Sequence, residues 1–74
     1  MLYPMNIAQY RNKYGHGSIY RLSKKTGVHT SQLYGCLSMS FEKCEELAEG
    51  EPELDAMMVY RENKRLIQKR KKSA

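Results

Sequence analysis

The feature that most constrains this chain is the joint inside IYRLSKKTGVHTSQLYGCL, residues 19–37, where two helical patterns meet across a lone Gly27. Ser18 stands where it can cap the first pattern, which runs to about Thr26. Gly27 then ends that helix as a left-handed residue. A further helix starts near His29 or Thr30 and runs to about Leu37. A glycine joint this short forces a steep crossing of about 90–120°. The corner packs only if certain positions are small or apolar. Ser23 is small enough for the next helix to approach, Leu22 is apolar, and Val28 can plug the corner. Leu33, Cys36 and Leu37 are expected to point back into the core.

The other segments also read as helical. Asn6 can cap a helix carrying Ile7, Tyr10 and Tyr14 on one face, with Gly15 as its stop. Ser40 can cap another, with Phe41, Cys44, Leu47 and Ala48 on one stripe, Gly50 at its end and Pro52 enforcing the break. A fifth helix spans roughly Glu53 to Lys71. No strand pattern, repeat or glycine-rich phosphate loop is present. The expected fold is all-α, a small helix-turn-helix bundle of about five helices. Its expected division is a core over 1–52, with the corner unit at 18–38, a C-terminal helix over 53–68 and a flexible basic tail over 69–74. Residues 1–4 are expected to be loose, and Tyr10, Tyr14 and Tyr20 to be half-buried core residues.

Charge is distributed in blocks. Residues 1–41 carry five bases and no acid, residues 42–55 seven acids and one base, and residues 56–74 seven bases and one acid. An acid-free basic half approaches a polyanion without local repulsion. The alternative is an ordinary solvated surface, although such surfaces usually mix their signs. With 74 residues the chain makes one domain at most, with a marginal core. Two cysteines are too few for a disulfide framework, nothing resembles a secretory signal, and no apolar run is long enough to span a membrane. The expectation is a soluble, reduced, cytoplasmic protein. Cys36, Cys44, His16 and His29 match no usual zinc spacing, so neither metal nor cofactor is expected. No nucleophile, base and orienting group can be assembled into a catalytic site, and no small-molecule ligand is expected.

The corner residues and their spacing resemble the DNA-binding helix-turn-helix of Cro-like and lambda-repressor-like phage or prophage regulators, well over 18–38 and loosely beyond. The resemblance implies that the third helix enters the major groove of double-stranded DNA. Its outward residues, Thr30, Ser31, Gln32, Tyr34 and Gly35, would then contact bases, with Thr30, Ser31 and Tyr34 ranked first. His29 would cap the helix or meet a phosphate. Gly17 and Ser18 would meet a phosphate through free amides at the second helix's start. Lys24, Lys25 and Ser38 are further backbone candidates. Two departures stand out. Gly35 falls where the family often has a polar contact residue, and the third helix has no Arg or Lys, so the commonest contact to guanine is missing. That implies an A·T-rich site or modest affinity, and raises the need for a dimer or a tail.

The C-terminal region offers both. Val59 to Leu66 and Tyr60 to Ile67 are heptad-spaced, so Val59, Tyr60, Leu66 and Ile67 form a candidate homodimer interface, with Asn63 either setting its register or facing solvent. Lys69, Arg70, Lys71 and Lys72 form an arm for DNA phosphates, although a basic amphipathic segment also suits an anionic membrane. The expected function is a sequence-specific DNA-binding transcriptional regulator, a repressor acting on a palindromic operator in a bacterial or phage-infected cell. Two alternatives stand beside it. One is a protein-interaction module, an antitoxin or adaptor, holding a basic partner on the acidic block. The other is a DNA-binding excision or replication accessory factor.

Overall fold

The computed structural model describes residues 4–73, with side chains described for 4–71, and these residues form the expected small all-α bundle. Its helices are α1 Ile7–Tyr14, α2 Ser18–Thr26, α3 Thr30–Leu33, α4 Phe41–Gly50 and α5 Ala56–Ser73. The expected loose residues 1–3 and the side chain of Lys72 lie outside what is described.

Local chemistry explains most boundaries. The Asn6 side chain accepts from Gln9 N at 2.9 Å, and Gln9 Oε1 accepts from Asn6 N at 2.9 Å, a reciprocal capping box. The remaining amides of the first turn are held from across the molecule: Glu62 of α5 accepts from Ile7 N at 3.1 Å and from Ala8 N at 3.2 Å. Ser40 caps α4 by accepting from Lys43 N at 3.1 Å. Gly27 ends α2 in the left-handed region, φ 78°, with its N–H returned to Ser23 O at 2.8 Å. The second helix starts differently from the expectation. Gly17 is its N-cap and Ser18 its first helical residue, so Ser18 caps nothing.

The third helix is shorter than expected, ending at Leu33 rather than Leu37. Gly35 is the cause, at φ 78°. Cys36 N donates to Ser31 O at 2.8 Å and Gly35 N to Gln32 O at 3.2 Å, the paired bonds of a Schellman stop. The chain has therefore turned before Cys36 and Leu37, and both are exposed rather than in the core.

The fifth helix starts later than expected, at Ala56. Glu53 and Leu54 are used instead in an isolated parallel bridge with Met5. In it Met5 N donates to Glu53 O at 3.2 Å and Asp55 N to Met5 O at 3.1 Å. Asp55 then caps the helix, accepting from Met58 N at 3.0 Å. The far end also differs. Residues 69–73 continue the helix, so the described part of the expected flexible tail is regular structure.

The core takes Ile7 and Tyr10 from α1, Ile19 and Leu22 from α2, Val28 and Leu33 from the corner, Cys44 and Leu47 from α4, and Val59 from α5. Burying such side chains supplies about 1.5–3 kcal/mol each. Tyr14 and Tyr20 are exposed, contrary to expectation, because they fall on the outer sides of their helices. Val59 is fully buried within this chain and is removed as an interface residue. Asn63, 2% exposed, neither faces solvent nor sits in an intersubunit seam. Its Oδ1 accepts from Met39 N at 2.9 Å, and its Nδ2 donates to Leu37 O at 3.1 Å and Gln32 O at 3.4 Å. It ties the segment after α3 to α5.

Candidate nucleic-acid interface

The surface to be judged is the outer side of the α2–α3 corner. His29 is the N-cap of α3, its Nδ1 accepting from Ser31 N at 3.0 Å. That fixes the ring acceptor on the backbone and leaves Nε2 as the outward atom. Thr30, Ser31 and Gln32 are half-buried, and Tyr34, just past the helix, is 47% exposed. The expected base-contact set therefore sits on a single turn of helix plus one residue.

Gly35 does not belong with it. Gly35 is buried, and a Cβ there would lie 2.6 Å from Leu66 Cδ1. Its carbonyl accepts from Arg70 Nε at 3.1 Å. The position expected to approach bases instead faces α5, and glycine is there to let α5 in.

A cleft of about 550 Å³ opens beside Tyr34, lined by Arg11, His16, Gly17, Ser18, Tyr20 and Tyr34 among others. The guanidinium of Arg11 lies 6.0 Å from the centre of the Tyr34 ring. The start of α2 forms part of the wall, and Gly17 supplies no side-chain cap for its amides. Ser18 is 2% exposed, and its Oγ is buried with no hydrogen-bond partner among the described residues. Any anion contact at this turn therefore falls to the backbone N–H groups rather than the Ser18 hydroxyl. No acidic side chain lines the cleft.

The expected phosphate-binding side chains divide. Lys24 is exposed, with its ammonium 5.4 Å from the Tyr20 ring centre. Lys25 is committed, donating to the buried Glu51 carboxylate at 3.0 Å. Ser38 is exposed and its Oγ accepts from Lys64 Nζ at 2.7 Å. Arg70 spends Nε on the Gly35 carbonyl. Its other guanidinium N–H groups are left for other acceptors. Lys69 and Lys71 stand on the exposed side of the last turns of α5. Arg11 and Arg65 were not expected at the site. Arg65 lines a smaller hollow with Arg11, Leu33 and Tyr34. Their basic character was visible in sequence, but only packing of α1 and α5 against α3 brings them there.

The charged groups below the corner are structural. Glu51 accepts from Tyr10 Oη at 3.0 Å, and burial together with this carboxylate pushes the Tyr10 pKa up to about 12. Lys13 and Tyr14 both bond Glu53. Those bonds hold the Glu53 carboxyl below its usual range. Burial raises the Cys44 thiol, which makes it a packing residue rather than a nucleophile. Among the described residues no group of His, Cys, Asp and Glu gathers as a metal site, and no helix is long and apolar enough to cross a membrane. Comparison with family models, curated proteins and solved structures gave no match.

Proposed function

We propose that the chain is a sequence-specific DNA-binding regulator that presents α3 to the major groove and represses by occluding a promoter. One observation carries this reading: the outward side of the α2–α3 corner joins Tyr34, Arg11 and the start of α2 around a cleft with no acidic lining. In this role the α2 amides meet one backbone phosphate, Arg11 a neighbouring one, and Thr30, Ser31 and Tyr34 the base edges. The last turns of α5, docked on Gly35 through Arg70, set Lys69 and Lys71 along the flanking backbone as a rigid helical extension.

A one-turn α3 limits discrimination. Each good base contact contributes about 1–3 kcal/mol, and few side chains are on offer. Two copies on an approximate palindrome double the count, with half-sites about one helical turn apart. Selection from random duplexes with the purified chain tests the function. Enrichment of a palindromic, A·T-rich motif is the expected result. Absence of any enriched motif would overturn the reading and turn attention to the acidic face of α4 as a protein-binding surface.

A further inference from the structure

Away from the cleft, four large apolar side chains are gathered where α4 begins beside α5. Leu37 is 55% exposed, Met57 46% and Phe41 38%. Tyr60 is half-buried, and the Phe41 ring stands edge-on to it at 5.6 Å between centroids. Met57 lies one turn before Tyr60. Lys64 joins the remaining parts, its ammonium 5.1 Å from the Tyr60 ring centre and bonded to Ser38 beside Leu37. The display is rigid. Asn63 holds the Leu37 carbonyl and the Met39 amide, so the backbone carrying Leu37 is fixed to α5. Rigidly presented apolar groups of this size mark a contact surface.

The charges around the patch indicate what covers it. On the α4 side the exposed Glu45 follows Phe41 by one turn, with Glu42 next to it. On the α5 side Lys64 follows Tyr60 by one turn and Arg61 follows Met57 by one turn. The patch therefore has an acidic rim and a basic rim facing each other across an apolar centre. A two-fold axis along the α4–α5 seam lays α4 of each copy on α5 of the other, acid on base at both edges. An axis across the seam would set acid on acid.

We propose that Leu37, Phe41, Met57 and Tyr60 form an isologous contact between two copies of this chain, crossed so that the Glu45 rim of each meets the Lys64 rim of the other. This deepens the two-copy reading of the DNA complex, but it is tested without DNA, so the two fail separately. A patch of four side chains belongs to the small class of interfaces, and a dissociation constant between about 1 μM and about 1 mM is expected.

Sedimentation equilibrium of the full chain over that range should show a reversible monomer and dimer. Leu37→Glu should weaken association at least about tenfold without altering the thermal melt, because the side chain is exposed; Phe41→Glu serves as the second probe. Glu45→Lys and Lys64→Glu should each weaken the dimer, and the double variant should restore it. The proposal is overturned by a chain that stays monomeric throughout, which would leave the patch to a different protein. It is equally overturned by a dimer indifferent to both glutamate variants, or by a charge-swapped double variant that stays weak.

Discussion

Leu66 of α5 rests on the bare Cα side of Gly35, so close that a methyl group at 35 would overlap three of its carbons. The same glycine ends α3 in the left-handed region. One residue thus sets both the length of the exposed turn and the seat of the C-terminal helix.

Gly35→Ala should accordingly be costly on two counts, a strained φ and a collision with Leu66. The expected loss is about 2–4 kcal/mol of unfolding free energy in urea titration. Leu66→Ala in that background should return the collision part and leave the backbone part, so the two changes should be strongly non-additive. Simple additivity would show that α5 does not rest on this glycine.

Asn63→Ala removes an acceptor from Met39 N and a donor from Leu37 O in a site sealed from water. Leaving such groups unpaired costs about 1–3 kcal/mol for each. Asn63→Asp should be at least as damaging at neutral pH, because a carboxylate would face the Leu37 carbonyl with no proton to offer it. Denaturant midpoints for the two variants measure this.

Replacing Thr30, Ser31 and Tyr34 together with alanine should abolish sequence preference while leaving the melting curve close to that of the parent. None of the three belongs to the buried core. Footprinting on the selected duplex gives the result. An unchanged protected region at unchanged affinity would move the base contacts elsewhere.

Tyr10 carries an alkaline signature. Its pKa is raised from 10.0 to about 12 in the folded chain, by burial first and by the hydrogen bond to Glu51 second. A raised folded value means that the contribution is complete below pH 10 and disappears as pH climbs towards 12. The parent should therefore lose stability more steeply than Tyr10→Phe across that window, measured by chemical denaturation at stepped pH.

What was legible in the sequence was local. The caps at Asn6 and Ser40, the left-handed stop at Gly27 and the apolar plug of Val28 need only neighbours along the chain, and each is found in place. The stop at Gly35 was equally local. A glycine after Leu33 and Tyr34 is a terminator signal, but the apolar residues at 36 and 37 prolonged the helical pattern past it. The identities of Glu62 and Asn63 were visible and their duties were not, because each serves backbone groups between 24 and 55 positions away. Heptad spacing likewise suggested an intersubunit role for Val59, whereas the chain's own core takes it. At the candidate interface, the outward phase of Tyr34 was readable, while the approach of Arg11 depends on how α1 lies against α3.

The pairing of Glu62 with the amides of Ile7 and Ala8 has a consequence for the order in which the protein is made. Synthesis delivers α1 first, yet two of its leading N–H groups have no acceptor until residue 62 leaves the ribosome. The Met5 strand contact waits in the same way for residues 53–55. The segment that emerges earliest is thus completed by one of the latest, and a nascent chain halted near residue 52 lacks what it needs to finish its own beginning.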